Sequence, residues 1–377
     1  MATSLSSKFY FLLLLLVSQI LAVAVECRRH DKSGVSPPIF IFGDSFFDSG
    51  NNNYINTTTL DQANFWPYGE TFFKFPTGRF SDGRHIADFI AEFAKVALVP
   101  PFLQLKSENR FNYNAAAGVN FASAGAGALV QTFQGSVIPL KTQLKFFKEV
   151  SERLRHQEGK TVSKKTLSRS IYLFAIGTND YISPFLTNST SQFESIGTNA
   201  YVSFVISNLT SVIKDVYKIG GRKFGFLNLG PLGCLPALRI LDPKGKGQCI
   251  KQATELAQLH NEVLYEVLQK LEKEMEGFKY SLYDFNSALK LRMDYPLKYG
   301  LREGKSACCG TGEFRGVFSC GGKRVVKTFQ LCSVPKDYVF WDSLHLTESV
   351  YKQMAGEMWS GSTILPSFNL KQLFQSN

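Results

Sequence analysis

"IFIFGDSFFDSGNNNY", residues 39–54, decides the fold. Ile39, Phe40, Ile41 and Phe42 are apolar without alternation, the pattern of a strand covered on both faces. Gly43 ends the run, and Asp44 and Ser45 lead into a stretch rich in glycine and asparagine, which reads as a loop. Ser45 then has two readings. Either it caps a following helix, or it is a nucleophile held at the carboxyl end of a strand, where open α/β sheets bind their ligands.

Similar runs recur along the chain: "PIFIF" (38–42), "IYLFAI" (171–176), "KFGFLNL" (223–229), "KYSLYD" (279–284) and the shorter "GVNFA" (118–122). Between them lie helical patterns at 83–97 and 251–276, the second with Leu256, Leu259, Val263, Val267 and Leu271 on one face. Strands alternating with helices predict an α/β chain with a parallel, doubly wound sheet. No repeat or linker divides the sequence, so one domain is expected over 25–377, its surplus length in loops 46–82 and 300–340. In such a sheet Ser45, Gly125 (after "GVNFA") and Asn179-Asp180 (after "IYLFAI") converge at one edge.

The amino terminus carries its own message. Lys8 precedes an apolar run, 9–24, that ends in the small-x-small triplet Ala22-Val23-Ala24, so 1–24 reads as a cleaved signal peptide. Ser18-Gln19 interrupts the run short of the about 20 apolar residues of a membrane span, and no later segment is long and apolar enough. A secreted, extracellular protein of the apoplast or cell wall is expected. Of 7 cysteines, Cys27 falls in a basic tail, and Cys234, Cys249, Cys308, Cys309, Cys320 and Cys332 suit disulfides. Cys234 and Cys249 flank a loop that they are expected to close; the other pairings stay open. Zinc is disfavoured, because Cys308 and Cys309 are adjacent and have no histidine nearby. Sequons at Asn56, Asn188 and Asn208 fit export. The net charge of +11 comes from scattered lysines and arginines without a nucleic-acid motif, so the surface partners expected are anionic polysaccharide or phospholipid, not nucleic acid.

A serine nucleophile needs a base. Of the 5 histidines, His30 lies in the tail, His156 in a solvated charged stretch, and His85 and His260 in amphipathic helices where a structural role is the ordinary one. His345 remains, in "YVFWDSLHLTESV" (338–350), with Asp342 three residues ahead, the reach of one helical turn. Acyl transfer also needs donors for an oxyanion. The Ser45 N–H, the Gly125 backbone and the Asn179 side-chain amide are the candidates; their ordinary roles are a tight turn for Gly125 and a helix cap for Asn179.

With these residues assembled, the sequence resembles the plant GDSL esterase/lipases of the SGNH hydrolase superfamily over essentially the whole mature chain. The likeness rests on "FGDSFFDSGNNN", "GVNFASAGAG", "IGTNDY" and "FWDSLHLT" in that order, supported by "LNLGPLGCLP" and "ACCGTG". It implies a flavodoxin-like three-layer α/β/α sandwich, with Ser45 as nucleophile, Asp342 and His345 completing the triad, and Gly125 and Asn179 completing the oxyanion hole with Ser45. The subgroup most similar is that of secreted, defence-related lipases. Two positions depart from the family pattern: Ala124 precedes Gly125 where two glycines are common, and Leu346 follows His345 where proline is common. Neither removes a catalytic atom.

Other chemistries do not fit. Phe47 breaks G-x-S-x-G, "GLREGKS" (300–306) is one residue short of a phosphate loop, and zinc-protease and dinucleotide fingerprints are absent, so no cofactor is expected. The expected function is hydrolysis of lipid or short-chain carboxylic esters through an acyl-enzyme. The alternatives are acyl transfer or polysaccharide acetyl esterase chemistry at the same site, and a non-catalytic binding protein on the same fold. Loops 46–82 and 120–145 should set acyl preference; Phe102, Phe111, Val130 and Phe133 have two readings, lining of the acyl groove or core, and the core is the preferred one.

Overall fold

Aromatic rings explain why the strand sequences look as they do. In the computed structural model, which describes residues 36–108, 118–361, 364–365 and 368–376, the five apolar runs become β1 (Ile39–Gly43), β2 (Gly118–Asn120), β3 (Ile171–Ala175), β4 (Lys223–Leu227) and β5 (Lys279–Tyr283). The register sets Phe40 beside Tyr172 and Tyr172 beside Phe224, and likewise Phe42 beside Phe174 and Phe174 beside Phe226. Because side chains two apart share a face, these form two stacked rows on one side of the sheet, with centroids 4.8–5.5 Å apart. Ile39, Ile41 and Leu173 point to the other side.

Helices cover both faces. On the aromatic face lie α2 (Leu140–Glu158), α4 (Thr198–Ile219) and α5 (Lys251–Glu274), and Phe147 of α2 packs edge-on against Phe40 and Tyr172 at 5.2 and 5.6 Å. On the aliphatic face α6 (Glu348–Ser360) packs against α1 (Ile86–Phe93) and α7 (Leu370–Gln375). That face tolerates little at Gly225, where an added Cβ would sit 2.7 Å from Leu370 Cδ2. The result is the expected three-layer α/β/α sandwich. The sheet order is β2-β1-β3-β4-β5, all parallel, with a short antiparallel strand, Ile364–Leu365, beyond β5. From β1 the chain passes outward to β2 and then back across to β3, so the carboxyl ends of β1 and β3 flank the switch point at which such sheets bind ligands. Ser45 emerges there.

Pro37–Asn377 makes one compact unit. The expected signal peptide, Cys27, His30 and Phe111 lie outside the described residues. Among the described residues there are three disulfides: Cys234–Cys249, as expected, and Cys308–Cys332 and Cys309–Cys320, which sequence left open. The last two knit the 300–340 segment, whose short strands Glu303–Ala307 and Tyr338–Phe340 pair in parallel.

Three expectations need correction. The buried stripe of α5 runs through Leu256, His260, Leu264, Leu268 and Leu271; Leu259, Val263 and Val267 sit half-buried at its edge, because the stripe centres on the side that meets the sheet. Ser45 caps no helix, since it lies in a turn and the next element is a 3-10 turn, Asn51–Tyr54, preceded by Gly50. Asp342 and His345 share a bend, not a helical turn.

Candidate active site

β1 delivers Ser45 by a tight exit. The Gly43 N–H and carbonyl bond the Gln143 side chain at 2.9 and 2.8 Å, and an added Cβ at Gly43 would lie 2.5 Å from the Ala175 carbonyl oxygen, so only glycine fits the approach of β1 to β3. Asp44 then bonds Ala175 through its N–H and accepts from the Phe46 N–H through its carboxyl. The hydroxyl of Ser45, a residue 9% exposed, faces His345 Nε2 at 2.7 Å.

His345 is oriented from behind. Asp342 Oδ1 accepts the backbone N–H groups of Leu344 and His345 at 2.9 and 2.8 Å, which closes the bend and leaves the carboxylate 2.8 and 3.0 Å from His345 Nδ1. Burial alone would raise the Asp342 carboxyl, but the charge and hydrogen bond of His345, the Leu344 N–H and the Tyr68 hydroxyl hold it well below the usual carboxylate range. An ionised carboxylate only accepts, so the Nδ1 atom carries the proton and Nε2 presents its lone pair to Ser45. Phe80 packs against the imidazole at 4.5 Å between centroids, and Phe46 at 5.7 Å.

Gly125 and Asn179 line the same cleft as Ser45. Gly125 takes φ +77°, a conformation that favours glycine. Asn179, in the first turn of α3 (Thr178–Leu186), spends one amide N–H on the Ala126 carbonyl at 3.0 Å and retains a second. Among the described residues the N–H groups of Ser45 and Gly125 donate to no protein acceptor.

Most of the remaining signature residues are scaffolding that sequence reasoning did not assign. Asp48, fully buried, accepts the N–H groups of Gly50, Asn51 and Ala124 at 2.8, 2.7 and 3.0 Å. Asn51 donates to the carbonyls of Asn120 and Ala122, and Asn52 to those of Asp61 and Ala124. Asp180 accepts from the Ala128 and Leu129 N–H groups and from the Thr132 hydroxyl. The loops after β1, β2 and β3 are thus clamped to one another around Gly125. Their period-free spacing gives no signal in a single sequence.

The cleft holds about 240 Å³. Leu60, Phe80, Phe133, Leu186, Phe318 and Leu344 form its apolar wall, so both loops expected to set acyl preference contribute to it. Phe133 therefore lies in the cleft and not in the core, at a position with positive φ (45°). Phe102 is core as expected, and Val130 is 37% exposed. Asp61, Tyr68 and Arg324 also line the cleft and had no sequence signal.

Among the described residues, the other histidines stay apart from this chemistry. His85 caps α1 in a box with Asp88. His260 is buried against the Tyr181 hydroxyl at 2.9 Å, and burial pushes its pKa down to about 3, so it is neutral. His156 is exposed. Asn56 is exposed in an irregular segment and Asn188 in a turn, whereas Asn208 lies within α4 with its amide on the Phe204 carbonyl at 2.9 Å.

Burial pushes the Asp44 carboxyl up to about 8 from an ordinary 3.8, against the Phe46 N–H that lowers it and with the Asp180 charge adding to the rise. Folded protein thus keeps a proton here that the unfolded chain has released above pH 3.8. The contribution of Asp44 to stability falls as pH rises from about 4 to about 8 and levels off above. Asp44→Asn retains the acceptor for Phe46 without ionising. It is expected to melt level with wild type near pH 4 and several degrees higher at pH 8, in thermal scans across that range; parallel curves would contradict the assignment.

Residues 39–358 match the family model described as GDSL-like Lipase/Acylhydrolase. GDSL esterase/lipase 5 of Arabidopsis thaliana is 54% identical, with 97% of this chain and 95% of the relative aligned. GDSL esterase/lipase 2 of the same plant is 51% identical over 95% and 96%, and a GDSL lipase of Tanacetum cinerariifolium 43% identical over 89% and 87%.

Proposed function

We propose, for a chain that belongs to the GDSL-like lipase/acylhydrolase family and is a carboxylic ester hydrolase, a secreted enzyme that works through a Ser45–His345–Asp342 triad. The observation that carries the reading is the 2.7 Å approach of Ser45 Oγ to His345 Nε2. Ser45 Oγ attacks the ester carbonyl while His345 takes its proton, and the Ser45 and Gly125 N–H groups with the Asn179 amide receive the oxyanion. The alcohol leaves with that proton, and a water activated by the same imidazole releases the acid.

The apolar wall of the cleft supports acyl esters of lipids or short chains as substrates. Three disulfides and the apolar segment 9–24 support a signal peptide at 1–24, one hydrolase domain from 25 on and export to the apoplast or cell wall. Among the described residues no helix is long and apolar enough to cross a membrane. Glycans at Asn56 and Asn188 suit their exposed positions, with Asn208 the least accommodating of the three sequons. The charge of +11 favours an anionic polysaccharide or phospholipid surface, and the likeness to defence-related members suggests that role in the plant.

The test is turnover of p-nitrophenyl esters from acetate to palmitate. The cleft volume of about 240 Å³ predicts a maximum at short to medium chains. A profile still rising at palmitate would mean that the acyl chain lies elsewhere. No turnover at any length by folded enzyme would move the reading to polysaccharide acetyl esters, acyl transfer or a binding role.

A further inference from the structure

The Asp342 carboxylate has a second side-chain partner besides His345. Tyr68, 1% exposed, donates its hydroxyl to Oδ2 at 2.7 Å, and Arg324, 3% exposed, donates from Nη2 to the Tyr68 oxygen at 3.1 Å. The Arg324 guanidinium lies 5.2 Å from the Phe65 ring centroid, within cation–π reach. Among the described residues no carboxylate comes within 4.0 Å of it, and Nη1 has no hydrogen-bond partner. Burying a cation without an ion pair is costly, and an uncharged side chain would fill the space without that cost. What this cation reaches, through one hydroxyl, is the carboxylate behind His345.

The surroundings fix both residues. Arg324 lies between Cys320 and Cys332, whose disulfide partners are Cys309 and Cys308. The N–H groups of Cys308 and Cys309 bond the carbonyls of Phe340 and Trp341 at 2.9 and 2.7 Å, immediately before Asp342. Both disulfides thereby fasten the Arg324 segment to the backbone that carries the triad acid. Tyr68 is fixed from the opposite loop by edge-on contacts with Phe65 and Phe80 and by the Gly69 N–H bond to Ser81.

We infer that Tyr68 and Arg324 are positioning residues for the ester hydrolysis, the outer members of a hydrogen-bonded chain Arg324–Tyr68–Asp342–His345–Ser45. The inference rests on the proposed triad. A donated hydroxyl and a cation behind it draw negative charge on Asp342 away from the imidazole, which favours the neutral, proton-accepting ring. Among the described residues, the other ionisable groups around the pair are Asp61 in the cleft lining, Lys323 over the same Phe65 ring at 5.5 Å, Tyr351 on α6 and Asp44 beside Ser45. None of these touches the Oδ2 atom that Tyr68 holds. Removing the outer members leaves Asp342 a stronger partner for imidazolium, so the acidic limb of kcat/KM should move to higher pH.

The experiment is kcat/KM for p-nitrophenyl butyrate from pH 4 to 9, on wild type, Tyr68→Phe, Arg324→Met and Arg324→Lys. Each is measured beside its Ser45→Ala counterpart, so that only Ser45-dependent turnover is counted. Tyr68→Phe removes the bond that holds Oδ2 and so the orientation of the carboxylate behind the ring; it is expected to lose about tenfold in kcat through that misplacement, with KM within about twofold, while the changed charge balance lifts the acidic limb by about half a unit. Arg324→Met should move the limb the same way by less, and Arg324→Lys, which keeps the charge, should restore most of it. An unmoved limb and unchanged kcat in both Tyr68→Phe and Arg324→Met would overturn the inference. Should Tyr68→Phe fail to fold, the contrast between methionine and lysine at 324 decides it alone, an equal limb in both counting against. Turnover surviving Ser45→Ala in the wild-type background would instead refute the nucleophile, a separate result.

Discussion

Ser45→Ala is expected to lower kcat toward p-nitrophenyl esters by about 10⁵ to 10⁶-fold while the protein keeps its fold. The asymmetry follows from what the hydroxyl touches. Its partner is His345 Nε2, and losing that bond costs about 1 kcal/mol of stability, a shift of a few degrees at most in a chain of this size. Catalysis loses the atom that forms the acyl-enzyme, and no other side chain stands in for it. The residual rate would come from the oxyanion donors and binding. Purified variant retaining a tenth of wild-type turnover, with matching circular dichroism, would rule out Ser45 as nucleophile.

Asp342→Asn should be the next most damaging change, with kcat down about 10⁴-fold and KM little altered. Two backbone N–H groups hold Oδ1, so the new amide nitrogen must take the Oδ2 position, facing the Tyr68 hydroxyl and lying beside His345 Nδ1. The imidazole keeps an acceptor at Oδ1 but loses the negative charge that stabilises it once it has taken the serine proton. Tyr68 must turn its hydroxyl away from its former acceptor. The effect belongs in the chemical step, so pre-steady-state bursts should disappear while competitive inhibition by substrate analogues persists. Retained bursts with weakened binding would show that Asp342 shapes the cleft instead.

How far sequence carried the reading differs from element to element. β1 to β5 were legible because strands buried on both faces need apolar residues throughout, and the aromatic rows that join them are the physical reason those residues are phenylalanine and tyrosine. Ser45, His345 and Asp342 were legible as blocks, and the structure brings them within hydrogen-bond distance. The stripe of α5 was offset, because periodicity gives a face only to within about one residue and both edges of this one are apolar. Asp48, Asn51 and Asn52 passed as loop composition, since a side chain that binds distant carbonyls leaves no local pattern. Tyr68 and Arg324 were invisible for the same reason, separated from Asp342 along the chain and joined to it only by the fold.

The clamps formed by Asp48, Asn51, Asn52 and Asp180 anchor the loops after β1, β2 and β3 to one another and leave an outer rim around the cleft. Leu60, Phe133 and Phe318 sit in the cleft wall, and none of them belongs to that set of clamps. Lineages of this enzyme could therefore drift in which esters they accept while the nucleophile stays where it is. For a laboratory seeking a new selectivity, that rim is the place to cut.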